Sequence, residues 1–178
     1  IDSGNEPLTA AALLCSFTDS GDCGESLTWQ FYGDGTLTII GAGDMTDYAY
    51  NNLPPWEQYM SSILAVRLPE GLTSIGAYAF RGSRVESVTL PAGLERIGGS
   101  AFRNCSLLKS IDLPDSVTSI GSYAFGNCST LERIAIPEGV AATGEYAFDN
   151  CMHLAEVVLP TTLTSIDNGA FSGCKALT

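Results

Sequence analysis

Cys105-Ser-Leu-Leu-Lys-Ser-Ile-Asp-Leu-Pro-Asp-Ser-Val-Thr-Ser-Ile-Gly-Ser-Tyr-Ala-Phe-Gly-Asn-Cys128 is one turn of a pattern that the chain repeats on both sides. An apolar residue followed by proline occurs at Leu68-Pro69, Leu90-Pro91, Leu113-Pro114, Ile136-Pro137 and Leu159-Pro160, in steps of 22, 23, 23 and 23 residues. Ala-Phe keeps the same phase at Ala79-Phe80, Ala101-Phe102, Ala124-Phe125, Ala147-Phe148 and Ala170-Phe171. A cysteine follows each of the last four phenylalanines by three residues, at Cys105, Cys128, Cys151 and Cys174, and Ser83 takes that place in the first unit. Ile-Gly recurs at Ile75-Gly76, Ile97-Gly98 and Ile120-Gly121, then decays to Thr143-Gly144 and Ile166-Asp167. Self-similarity at a fixed short period marks a repeat architecture, in which each unit buries its apolar face only against its neighbours.

Within a unit the apolar residues read L-x-x-I-x-L-P, as in Leu131, Ile134, Ile136 and Leu154, Val157, Leu159. The closing I-x-L alternation is that of a short strand with one buried face. Proline straight after it removes a ladder donor and forces a corner. Gly or Ser two residues on supports the turn, as in Pro69-Glu-Gly71 and Pro114-Asp-Ser116. The pattern predicts parallel strands near 66–68, 88–90, 111–113, 134–136 and 157–159, spaced about 4.8 Å apart from rung to rung.

The string C-x-x-L-x-x-I-x-L-P…I-G-x-x-A-F-x-x-C is narrower than a generic leucine-rich repeat. It resembles the BspA-like family of bacterial leucine-rich repeats over about residues 61–178, as four full units and a fifth cut short after Leu177. The resemblance implies a leucine-rich-repeat solenoid, an α/β-type repeat with a short parallel β-sheet and units of about 23 residues. It also implies a secreted or surface location and contact with host protein, matrix or cells.

A solenoid needs a covered end, and the residues before the repeats fit one. Leu27-Thr-Trp29-Gln-Phe31 alternates apolar and polar residues, Gly33-Asp-Gly35 supplies a turn, and Thr36-Leu-Thr-Ile39 resumes the alternation. A β-hairpin over about 27–40 follows. Pro54-Pro55-Trp56 opens a short helix to about Ser62. The segment from Cys23 to Trp56 also resembles the leader that precedes such repeats in surface proteins of gut-type bacteria. The expected organisation is an N-terminal extension over 1–22, a cap over 23–60 and the solenoid over 61–178. Ile1 is not an initiator methionine, and a processed or trimmed secreted chain is expected.

Composition narrows the function. Charged residues are 16% of the 178, and 20 Asp+Glu stand against 8 Lys+Arg for a net charge of -12. That argues against nucleic acid, whose binding needs clustered Lys and Arg, and against anionic lipid. No apolar run approaches the ~18 residues of a membrane helix.

Catalytic patterns are missing. His153 is the single histidine and falls at a variable loop position, so a nucleophile–histidine relay would depend on it alone. Gly41-Ala-Gly43 lacks the third glycine and the βαβ context of a dinucleotide loop. Four cysteines spaced by 23 do not make the paired spacing of a zinc site. Stacked cysteines would point in parallel about 4.8 Å apart, wider than disulfide geometry allows, so they are expected to be buried free thiols. Asn104, Asn127 and Asn150 precede three of them as turn residues. Cys15 and Cys23 lie outside the repeats and are a candidate disulfide, with the unpaired state equally open. Glu70, Asp115 and Glu138 follow proline in three units and read as solvated turn residues, in a column broken by Ala92 and Thr161. Tyr78, Tyr123 and Tyr146 precede Ala-Phe and read as side chains stacked on one wall, with a contact stripe for carbohydrate or protein as the alternative.

The outward positions of the I-x-L strand form three columns. They are Leu64, Glu86, Lys109, Glu132, Ala155; Ala65, Ser87, Ser110, Arg133, Glu156; and Arg67, Thr89, Asp112, Ala135, Val158. On the concave face of a repeat protein these positions usually bind. The candidate binding residues are Arg67, Glu86, Thr89, Lys109, Asp112, Glu132, Arg133 and Glu156. Arg67, Lys109 and Arg133 are three of only eight cations and are expected to make this strip the least negative. The expected function is a non-enzymatic binding or adhesion module of a bacterial surface or secreted protein. Its partner is a protein or glycan, with no cofactor, metal or catalytic residue. A structural spacer in a longer surface protein is the alternative, and a carbohydrate-active enzyme the weaker one.

Overall fold

The structure, a computed structural model, describes residues 17–178. Three antiparallel strands come first: β1 (Phe17–Asp22), β2 (Leu27–Tyr32) and β3 (Thr36–Asp44). β2 and β3 are the expected hairpin, in the register Trp29↔Ile39 and Phe31↔Leu37. Its turn uses Gly35 at φ 85°, a left-handed conformation that glycine adopts at little steric cost. β1 (Phe-Thr-Asp-Ser-Gly-Asp) has no apolar alternation, and its sequence gives no strand signal. It holds the edge by pairing with β2. The helix after Pro55 forms as a 3-10 helix, Glu57–Ser62.

β3 is where the sheet changes character. It pairs in parallel with β4 (Ala65–Arg67) through Thr36–Thr38 and with β5 (Gly71–Ile75) through Ala42–Asp44. From β5 a parallel ladder continues through β6 (Arg96–Ile97), β7 (Ser119–Ile120), β9 (Ala142–Thr143) and β11 (Ser165–Ile166). This ladder lies on the Ile-Gly side of each unit, opposite the side that the I-x-L alternation predicts. On the predicted side, β8 (Arg133–Ala135) pairs with β10 (Glu156–Val158) in parallel. The strands expected near 88–90 and 111–113 do not form; one isolated bridge, Ser87↔Ser110, stands in for them.

The reason lies in the backbone. A Cβ on Gly121 would sit 2.5 Å from the Gly99 nitrogen of the preceding rung, and Cβ atoms on Gly98 and Gly144 would strike Ala77 and Gly121 in the same way. The missing side chains let adjacent rungs close to ladder distance. On the other side proline ends each strand. The carbonyls of Pro69, Pro91, Pro114, Pro137 and Pro160 instead accept from the amide three residues on, at 3.0–3.3 Å, which makes the corner.

The core is a column of rings. Phe80, Phe102, Phe125, Phe148 and Phe171 stack with centroids 5.2–5.6 Å apart. Trp56, fully buried, stacks on Phe80 at 6.1 Å and begins the column one rung before the first Ala-Phe. Its indole N–H donates to the Ala79 carbonyl at 2.8 Å, whereas the indole N–H of Trp29 and the hydroxyl of Tyr48 are buried without a partner. Trp29 and Tyr48 meet Trp56 edge-on.

The thiols run beside the rings. The Sγ of Cys105, Cys128, Cys151 and Cys174 donates to the carbonyl of Phe80, Phe102, Phe125 and Phe148, each one rung back, at 3.1–3.2 Å. All four are free thiols, as their spacing predicts. Burial pushes Cys105 up to about 11 and Cys151 up to about 12, so the buried groups stay neutral. Cys15 lies outside the described residues, and the candidate Cys15–Cys23 pair with it. Cys23 is itself a buried free thiol against the hairpin.

Candidate binding face

All fifteen outward positions of the I-x-L strands are exposed. The residues between them, Val66, Val88, Ile111 and Ile134, are buried, and Val157 is partly so. The eight candidate binding residues therefore share one accessible face. Four of its seven charged residues are tied up in pairs, however. Lys109 Nζ contacts Glu86 Oε2 at 2.7 Å, and Arg133 Nε contacts Glu156 Oε1 at 3.0 Å. Each pair joins adjacent rungs of one column. The hydrogen bond from Lys109 holds the Glu86 carboxyl below its ordinary value and raises Lys109. Arg67 lies at the hairpin end, in a cleft with Tyr32, Asp34 and Thr36. Of the three cations expected on this strip, Lys109 and Arg133 are each paired with a carboxylate one rung away. Glu132 and Thr89 are exposed beside the pairs.

Where the strands near 88–90 and 111–113 fail to form, a shallow cleft of about 180 Å³ opens. Ser87, Thr89, Ser110 and Asp112 line it over Val88, Leu90 and Ile111.

The other candidates separate. Glu138 accepts from the amide and hydroxyl of Thr161, at 3.1 and 2.9 Å, and these bonds lower its carboxyl. It holds the next rung's turn. His153 is exposed, its ring against the Ser129 carbonyl. Among the described residues no three His, Cys, Asp or Glu side chains gather to hold a metal.

The opposite wall holds more than the sequence reading finds. Tyr123 and Tyr146 stack at 4.9 Å and 8°. Tyr78, Tyr123 and Tyr146 adopt φ of 55–60°, as does Ser100 at 56° in the same column. Asn104, Asn127 and Asn150 adopt φ of 56–63° in a second column, with Gly82 and Gly173 at its ends. Asparagine tolerates that region better than most residues, which explains the Asn-Cys pairs. Asn127 Nδ2 also donates to Asn104 Oδ1 at 3.0 Å. Arg103 lies over the Tyr123 ring at 4.5 Å and Arg81 over Tyr50 at 5.0 Å. The available signal for the arginines was Ala-Phe-Arg in the first two units; Tyr50 lies in a loop outside the repeat.

A family model described as "BspA type Leucine rich repeat region" matches in six copies over residues 58–178, one more than the Ala-Phe count. No curated protein matches the chain. Among solved structures, a leucine-rich repeat protein from Bacteroides ovatus is 30% identical with a TM-score of 0.65, over 88% of this chain and 45% of its own. The T. pallidum leucine-rich repeat protein is 27% identical with a TM-score of 0.64, over 88% of this chain and 69% of its own. A leucine-rich cell surface protein from Faecalibacterium prausnitzii is 26% identical with a TM-score of 0.64, over 92% of this chain and 54% of its own. The chain therefore spans under half of the B. ovatus protein.

Proposed function

The chain belongs to the BspA-type leucine-rich repeat family, and from that premise we propose a non-enzymatic extracellular binding module of a bacterial surface or secreted protein. It contacts a host or matrix protein through the outward I-x-L columns. The carrying observation is the division of the strand: inward residues repeat and are buried, whereas outward ones vary and are all exposed. A frame that repeats while its surface varies is what recognition on a repeat protein requires. The solenoid occupies 61–178. Residues 23–60 cap it, with Trp56 as the first ring of its core column. Of the extension 1–22, the described part, Phe17–Asp22, adds β1 to the cap's edge. Surface location is supported by the F. prausnitzii cell surface protein. No helix of the described residues is long and apolar enough to cross a membrane.

The two ion pairs favour a second reading, a structural spacer, since a face with four of its seven charges satisfied internally offers less to a partner. Pull-down against extracellular matrix proteins and mucins separates them. The module should capture a protein, and Arg67→Ser with Lys109→Ser and Arg133→Ser should weaken capture without moving the thermal midpoint. Each contact contributes only about 0.2–1 kcal/mol, because exposed charges exchange one partner for another. Capture unchanged by the triple variant moves the site off this face. No capture by the parent chain leaves the spacer.

A further inference from the structure

Among the eight cations, Arg96, Lys109 and Arg133 form ion pairs within the described residues. Arg81 and Arg103 pair instead with rings. The Arg81 guanidinium lies 5.0 Å from the Tyr50 ring and 5.9 Å from that of Tyr78, and Arg103 lies 4.5 Å from Tyr123. Each buries its Nε without a hydrogen-bond partner. A ring beneath a guanidinium occupies its face and fixes its plane. What remains for a ligand is the N–H edge, a fork that matches a carboxylate.

The two forks sit on adjacent rungs, in the column that Gly126 and then Asp149 continue. Next to Arg81, Tyr50 is 64% exposed. Arg81 covers one face of the Tyr50 ring and Tyr78 meets it edge-on at 5.2 Å and 67°, so the exposure lies on the ring's other face. The backbone along this wall is spent: Tyr78, Phe80, Gly82 and Ser100 donate their amides to carbonyls of the next rung. An extended peptide therefore finds no ladder to join. A sugar chain needs none; the C–H face of one sugar packs on an aromatic ring and carboxylates of its neighbours reach the forks.

We propose that the Tyr50–Arg81–Arg103 wall binds an acidic polysaccharide, with uronate carboxylates on Arg81 and on Arg103 and a neighbouring sugar ring on the open face of Tyr50. This site lies apart from the outward I-x-L columns, so either face can fail without the other.

The test uses the full chain with polygalacturonate, its fully methyl-esterified form and poly-glutamate, by titration calorimetry. Polygalacturonate should bind, weaken as salt rises, and bind about tenfold less to the Tyr50→Ala variant and to the Arg81→Gln/Arg103→Gln variant. Arg81→Lys/Arg103→Lys keeps the charge and removes the fork; it should also lose affinity, with a thermal midpoint near that of the parent. The esterified polymer should not bind. Three results would overturn the proposal: no polygalacturonate binding, binding indifferent to both arginine variants in folded protein, or equal binding of poly-glutamate through the same arginines. The last would make the wall an acidic-peptide site.

Discussion

Phe125→Ala tests the ring column where it is most enclosed. Phe125 is fully buried, with Phe102 parallel at 5.6 Å on one side and Phe148 parallel at 5.4 Å on the other. Truncating a buried phenylalanine costs roughly 3–5 kcal/mol through lost transfer and the cavity left behind. Two ring pairs are lost together, each contributing about 0.5–1.5 kcal/mol beyond area burial, so the upper end of that range applies. Phe171 is the built-in comparison. It is half-buried and meets one ring, Phe148 at 5.2 Å, so Phe171→Ala should cost about 1–2 kcal/mol by the same principles. Thermal unfolding followed by circular dichroism reads the difference, since each kcal/mol moves the midpoint by about 2–4 °C at this chain length. Phe125→Ala should lower the midpoint by roughly 10–20 °C on that scale, and Phe171→Ala by far less. Equal shifts for both, or a shift near zero for Phe125→Ala, would refute the column as the main source of stability.

Gly121→Ala should destabilise by about 1–3 kcal/mol or more, as overpacking does, because its methyl would press on the Gly99 backbone. Gly93→Ala, whose nearest neighbour atom would be 3.9 Å away, should be near neutral; similar denaturant midpoints for the two would remove the close-approach explanation of the Ile-Gly ladder. The repeat thiols should resist a thiol reagent in native protein at neutral pH, and four or six thiols should titrate once the unreduced chain is denatured; a count of two or fewer would mean disulfides among them. Burial raises the folded values from 9.0 to about 11 for Cys105 and about 12 for Cys151. Unfolded thiols therefore ionise first as pH rises, and the stability present below about pH 9 should decline towards pH 12. A midpoint flat across that window would contradict the sign.

The apolar columns were legible because burial follows alternation directly: every residue placed outward on the I-x-L strands is exposed, and the Ala-Phe and cysteine columns lie inside. Which segment hydrogen-bonds to the next rung was less legible. Alternation reports a buried face, not backbone approach, and here approach is set by side chains that Gly98, Gly121 and Gly144 lack. β1 escaped reading because an exposed edge strand needs few apolar residues. The Lys109–Glu86 and Arg133–Glu156 pairs were within reach, since column arithmetic places both one rung apart. Arg81 over Tyr50 was not, because a loop outside the repeat supplies the ring.

The thiol-to-carbonyl bonds bear on how the chain folds. Each spans 25 or 26 residues, and the Trp56 indole bond spans 23. These contacts reach back one rung and no further, so closing each loop costs the same entropy wherever it lies in the chain. Adding rungs lengthens the protein without lengthening its contacts, and relative contact order falls as the array grows. Folding should then proceed as a zipper. Each docked rung becomes the template for the next, and Trp56 stacked on Phe80 joins the hairpin sheet to the same column. The slow event is the first docking of two rungs, and growth then spreads from wherever that pair forms.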